Sequence, residues 1–236
     1  GVLAVMGPRA RELMQAVSPS DFSNEAHPFG TAREIELGLG IARTHRVSYV
    51  GELGWEVYVG ADMAAHAFDT LAQAGEGMGL KLCGMQMMDC ARAEKAFRHF
   101  GHDITCEDHV LEAGLGFAVK TDKPAFIGRE AVLAKRETGL EQRLVQFLLN
   151  DPEPLLYHNE PILRDGEIVG HITSAMFGHT MGASLGMGYI RDPAGGVVSP
   201  DFVKAGTYEI EIACQRVLAE ASLRPFYDPT SARMKV

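Results

Sequence analysis

Cysteine is scarce and scattered in this chain: Cys83, Cys90, Cys106 and Cys214 are the only four in 236 residues, and no two form a CxxC pair. That density does not build a disulfide scaffold, and reduced, mostly buried thiols are the expectation. Basic charge is also in deficit, with Lys and Arg numbering 22 against 31 Asp and Glu, for a net charge of −9. Nucleic acid and anionic membranes recruit basic patches, so neither is an expected partner. No apolar run reaches the roughly 18 residues of a membrane span, and no basic-then-apolar leader is visible. A cytoplasmic protein is expected, or one of the mitochondrial matrix if the source is eukaryotic. Repeats, low-complexity tracts and an HExxH motif are missing too. His99 and His102 lie three apart with only Phe100 and Gly101 between them, which fits structural histidines better than a metal site, and no metal is expected.

The apolar share, 46%, is enough to build real cores. Ala10, Leu13, Met14 and Val17 recur at helical spacing behind Pro8, a residue tolerated at a first helical position. Ala64, Ala67, Phe68 and Leu71 repeat that spacing, with Asp62 placed to cap the helix and Gly75 to stop it. A third helix is expected over 86–100 and a fourth from Ile127 to Gly139. Strand-like runs fall at 34–37, 47–50, 55–59 and 115–120. Beyond about residue 140 helical periodicity stops, and short strands are expected at 144–149, 162–164, 168–173, 184–190, 208–213 and 217–222. Asp165-Gly166 is a two-residue hairpin signal between two of them. The fold class is therefore α+β over 1–140, followed by a small all-β barrel or sandwich over 141–236 with no helix longer than two turns.

The segment Val47-Ser48-Tyr49-Val50-Gly51-Glu52-Leu53-Gly54-Trp55 hangs one carboxylate, Glu52, on a glycine-flanked loop between apparent strands. An ionised carboxylate is acceptor-only, so in a ligand site it takes two parallel donors from one planar group, such as the amino-pyrimidinone edge of a pterin. The alternative is a solvated turn glutamate.

Tyr49-Val50-Gly51-Glu52 followed by Gly54-Trp55-Glu56 resembles the folate-binding signature of the aminomethyltransferase, or glycine-cleavage T-protein, superfamily. Arg92-Ala93-Glu94-Lys95-Ala96-Phe97-Arg98-His99-Phe100-Gly101-His102-Asp103-Ile104 resembles one branch of it, the C-terminal folate domain of flavin-dependent dimethylglycine and sarcosine dehydrogenases. Leu111-Glu112-Ala113-Gly114, Phe126-Ile127-Gly128-Arg129, Gly178-His179-Thr180 and Pro225-Phe226-Tyr227-Asp228-Pro229-Thr230 extend the likeness nearly end to end.

The resemblance implies an N-terminally truncated folate-binding domain, with Gly1 to Pro8 an internal strand and helix start. FAD would sit on a missing Rossmann part only: the nearest phosphate-loop sequence here, Gly38-Leu39-Gly40-Ile41-Ala42-Arg43, lacks the third glycine. It further implies tetrahydrofolate as the carbon acceptor, a small N-methylamine as substrate, and 5,10-methylenetetrahydrofolate as product. Glu52 would accept from the pterin and Tyr49 would line the site. Arg92 would form the site wall or meet the folate carboxylates, or else simply pair with Asp89 on the surface. Glu94, Lys95 and Arg98 read as a solvated face, and Met85, Met87 and Met88 as core or cavity lining. An aminomethyltransferase proper and a non-catalytic folate-binding module are the alternatives. A chain begun mid-sheet would leave strand edges open, favouring a homo-oligomer and only weak folate binding by itself.

Overall fold

The computed structural model describes residues 1–236, which fall into two compact units: residues 1–88 with 230–236, and residues 89–229. In the first unit β1 (Val2–Met6) is followed by α1 (Ala10–Val17), β2 (Ala32–Leu37), β3 (Gly40–His45), β4 (Gly54–Tyr58) and α2 (Ala64–Gly75). The strands form one antiparallel sheet in the order β1-β4-β3-β2. Alternation sends Val5, Ile35, Leu37, Ala42, Trp55 and Val57 to one face, where Leu13 and Met14 of α1 and Ala67 and Leu71 of α2 cover them. Trp55 is fully buried, with Phe22 packed edge-on at 5.2 Å between ring centroids.

Several local expectations change. Residues 47–50 are not a strand: their apolar alternation mimics one, while the strands that pair with β4 are β1 and β3. Gly38-Leu39-Gly40 is the turn between β2 and β3, with Gly38 at φ 57°, so the GxG pattern serves a hairpin. The first helix begins two residues after Pro8, and Met63 rather than Asp62 occupies the N-cap of α2, with no side-chain capping bond.

The chain division falls within α3 (Met85–Glu94), which stops well short of Phe100. Ala96 takes a left-handed conformation, φ 52°; its N–H donates to Ala93 O and that of Phe97 to Arg92 O, closing the helix as a Schellman turn without glycine. Met85 and Met87 are exposed rather than core residues. So are Cys83, Cys106 and Cys214; Cys90 is half-buried, and all four thiols are free.

Residues 115–120 form a 3-10 turn, Gly116–Ala118, rather than a strand. After α4 (Arg129–Thr138), β5 (Gln142–Leu149), β6 (Pro161–Arg164), β7 (Glu167–Gly178), β8 (Ala183–Arg191), α5 (Pro200–Ala205), β9 (Tyr208–Ile212) and β10 (Gln215–Ser222) follow. The six strands close into an antiparallel barrel, β10-β5-β8-β7-β6-β9, whose interior holds Val145, Phe147, Ile162, Ile172, Ile190 and Ile210. Closure removes the sheet edges. Asp165 and Gly166 both have positive φ, 53° and 89°, as the tight turn between β6 and β7 requires. The expectation missed α5 altogether, although Ser199 caps it at Phe202 N and Pro200 opens it. At six residues it stays under two turns.

Candidate functional site

Tyr49 and Glu52 lie together on the irregular loop that joins β3 to β4. The loop is held from within: the Ser48 hydroxyl accepts the N–H of Gly51 at 3.0 Å and of Glu52 at 3.1 Å. Gly51 sits at φ 80°, which lets the chain turn back, and Gly7 N–H donates to Leu53 O at 2.8 Å. Tyr49 is half-buried. The Glu52 side chain is 24% exposed, and its Oε1 faces Arg233 Nη1 at 3.6 Å. A planar, multiply donating cation thus already sits at the carboxylate, which fits the donor-pair chemistry expected of a pterin edge. A surface hollow of about 730 Å³ opens beside the neighbouring residue, lined by Arg9, Arg11, Glu12, Gln15, Leu53 and Val236 among others.

Arg92 belongs to the other unit and is not a surface residue. It is 1% exposed, and Nη1 donates to Asp103 Oδ2 at 2.8 Å, to Ser174 Oγ at 3.0 Å and to Phe97 O at 3.2 Å, while Nε reaches Asp89 at 3.3 Å. Asp103 is the centre of this cluster. It also accepts Thr173 Oγ1 at 2.5 Å, Ser174 Oγ at 2.6 Å and the His99 N–H at 2.8 Å. Two successive strand residues normally face opposite ways. Here the register of β7 against β8 shifts between Ile172 and Ser174, so Thr173 is an extra residue and both hydroxyls reach one carboxylate.

Glu94 and Lys95 are buried as well and Arg98 is half-buried, against the expected solvated face. Glu94 accepts the N–H of Thr180 at 2.6 Å, its hydroxyl at 2.9 Å and the N–H of Met181 at 3.2 Å. Lys95 is fully buried against Asp228 and lies 5.6 Å from the Tyr227 ring. Arg98 donates to the carbonyls of Ala96 and Ala113, and burial lowers its pKa. Gln146 joins the same region from β5, donating to Ala93 O and accepting Phe226 N–H. The motifs around Arg92, Thr180 and Asp228 are therefore one assembly. Its partners are distant in sequence, and helix spacing carries no signal for them. His99 and His102 pack ring to ring at 4.4 Å, and no trio of His, Cys, Asp or Glu side chains is arranged to hold a metal ion.

An antiparallel sheet backed by helices and followed by a closed six-stranded barrel is the layout of a known class. The family description "GCVT N-terminal domain" matches residues 1–123, and "Glycine cleavage T-protein C-terminal barrel domain" matches residues 142–228. The chain belongs to the glycine cleavage T-protein family. It is 41% identical over 234 residues to "4-methylaminobutanoate oxidase (formaldehyde-forming)" of Paenarthrobacter nicotinovorans, covering 99% of this chain and 27% of that protein. It is 39% identical over 236 residues to human "Sarcosine dehydrogenase, mitochondrial", covering 100% of this chain and 26% of that protein. The chain thus spans about a quarter of the length of these curated relatives. In fold it is similar to the crystal structure of the glycine cleavage system aminomethyltransferase T from Bartonella henselae, with a TM-score of 0.80 over 97% of this chain and 60% of that one, at 21% identity.

Proposed function

We propose that this chain is the tetrahydrofolate-binding portion of a flavin-dependent N-methylamine dehydrogenase of the dimethylglycine and sarcosine type. The carrying observation is Glu52, whose backbone N–H is fixed by Ser48 within the loop and whose carboxylate faces the planar donor group of Arg233. Bound tetrahydrofolate supplies the nitrogens that take up a one-carbon unit as 5,10-methylenetetrahydrofolate. Glu52 holds the pterin edge through paired acceptor oxygens and thereby fixes the orientation of those nitrogens, while Tyr49 borders the ring. Arg92 acts at one remove: its donors are taken up by Asp89, Phe97, Asp103 and Ser174, so it positions the 97–103 segment instead of meeting a ligand carboxylate.

The relatives' names support the dehydrogenase branch. One acts on sarcosine and the other on 4-methylaminobutanoate, both N-methylamines, and the second name gives formaldehyde as a product. FAD belongs to a part of the protein outside this chain. The folate-binding domain is taken as 1–140 and the barrel domain as 141–236, a division supported by the two family matches. No helix is long and apolar enough to cross a membrane; a mitochondrial place in a eukaryote accords with the human relative's name, and the cytoplasm is the reading otherwise. An aminomethyltransferase working from a carrier protein is the second reading, favoured by 36% identity over 191 residues to a protein named "Aminomethyltransferase" from Halothermothrix orenii.

Titrating the longest natural form of the protein with 5-formyltetrahydrofolate, and then assaying methylenetetrahydrofolate formation from sarcosine with and without flavin, separates these readings. Flavin-dependent product formation is expected. Turnover from an aminomethyl carrier without flavin would place the second reading first.

A further inference from the structure

The backbone on either side of Glu52 is held within its own unit. On the C-terminal side Leu53 is buried, and its carbonyl accepts the Gly7 N–H at 2.8 Å. Gly54 then enters β4 so close to β1 that a Cβ there would collide with Val5 O and with Met6. On the N-terminal side the chain turns back through Gly51, at φ 80°, and one atom closes the turn. The Ser48 hydroxyl oxygen accepts the N–H of Gly51, three residues on, at 3.0 Å, and that of Glu52, four residues on, at 3.1 Å. Ser48 thus supplies a side-chain acceptor where regular structure would supply a main-chain carbonyl.

The two amides so engaged belong to the carboxylate-bearing residue and to the one before it. A hydroxyl oxygen has two acceptor sites, and Ser48 uses one for each amide. Without that oxygen both would be donors close to the Glu52 carboxylate. Glutamate reaches back to a nearby main-chain N–H in the capping box of helices, and side-chain acceptors compete for loop amides in the same way. A bond from an N–H to a carboxylate is about twice as strong as one to an uncharged oxygen. The carboxylate would therefore gain by folding back, and an acceptor oxygen would be tied up by the loop's own backbone.

We infer that Ser48 is a positioning residue for ligand recognition by Glu52: its hydroxyl takes up the loop's own donors and so keeps the carboxylate turned to donors from outside the loop. Ser48 touches no ligand in this account and acts only through Glu52. The inference rests on the folate reading of Glu52, in which the outside donors are the N3–H and 2-amino group of a pterin. It adds to that reading the residue that sets how much of the carboxylate's acceptor capacity reaches the ligand.

The test is calorimetric titration of 5-formyltetrahydrofolate into the longest natural form of the protein, comparing the unaltered sequence with Ser48→Ala and Ser48→Thr, each with and without Glu52→Gln. Ser48→Ala removes the acceptor and should weaken binding about threefold to tenfold, the range for one net hydrogen bond. Ser48→Thr keeps the oxygen and should stay within about twofold of the unaltered protein. In the Glu52→Gln background Ser48→Ala should cause no further loss, because the group it acts through is already altered. A merely structural serine would lower the unfolding midpoint without that dependence on Glu52. Where Ser48→Ala does not fold, Ser48→Cys carries the comparison: sulfur is a weaker acceptor, and a loss of about twofold, confined to the protein with Glu52, is expected. Unchanged binding by these variants, or an equal loss in both backgrounds, would overturn the positioning role and leave the folate reading standing. Absence of binding by the unaltered protein, or unchanged binding by Glu52→Gln alone, would overturn the folate reading itself, and the inference with it.

Discussion

Arg92 Nη1 lies 2.8 Å from Asp103 Oδ2, and both side chains are almost wholly out of solvent. A buried pair of this kind is most informative when one member is removed, since the other is left charged and desolvated. Asp103→Ala should destabilise the 89–229 unit by about 3–5 kcal/mol, measured by urea unfolding. A loss below about 1 kcal/mol would mean that solvent reaches the Arg92 guanidinium.

The bulge in β7 carries its own prediction. Thr173→Val keeps the β-branched shape and removes the hydroxyl that reaches Asp103, so it should cost about 1.5–3 kcal/mol, the range for a hydrogen bond to a charged group. Ser174→Ala should act similarly, and the two should not add, because they share one carboxylate oxygen. Independent, additive losses in a double-mutant cycle would contradict a shared anchor.

His27 sets a pH dependence in the first unit. It is fully buried near Phe22 and Trp55, and neither ring nitrogen makes a hydrogen bond of good geometry. Desolvation lowers its pKa, the Thr31 backbone partly offsets this, and the charges of Arg33 and Arg46 lower it further. The unfolded chain therefore binds a proton that the folded one refuses. His27's share of stability is full above the ordinary histidine pKa of about 6.5 and is lost as pH falls below it, with a limiting slope of about 1.4 kcal/mol per pH unit. Unfolding of His27→Phe between pH 7.5 and 5 should show a shallower slope than the unaltered chain. Equal slopes would place the titration elsewhere.

The exposed ion pair of Arg9 with Glu12, 2.7 Å at three-residue spacing, predicts little by contrast. Glu12→Gln should cost no more stability than the scatter between repeat unfolding curves. A larger loss would give that helix face a role beyond solvation.

What was legible in the sequence follows from how local each signal is. Asp165-Gly166 announced its hairpin because a tight turn needs positive φ at both residues and these types tolerate it. The core faces of α1 and β4 were legible from spacing alone, since Leu13, Met14, Trp55 and Val57 repeat at the periods of helix and strand. Ala96 gave no warning that it ends α3, because alanine rarely takes a left-handed conformation. Val47 and Tyr49 alternate like a strand, but both edges of β4 are already paired, with β1 and β3. Arg92, Glu94 and Lys95 looked like a wet helix face because their partners, Asp103, Thr180 and Asp228, come from other elements of the fold. Of the candidate ligand residues, Tyr49 and Glu52 are brought onto one loop; the contact of Arg233 with Glu52 had no local signature.

The central claim is that Glu52 recognises the donor edge of a pterin, and the most direct measurement is the dissociation constant of 5-formyltetrahydrofolate for the unaltered protein and for Glu52→Gln. Glutamine keeps the size and replaces one acceptor oxygen with a donor. Affinity should fall by about 1–3 kcal/mol, roughly fivefold to 150-fold, with the thermal unfolding midpoint little changed. An unchanged dissociation constant would contradict the assignment of Glu52 as the folate-recognising group.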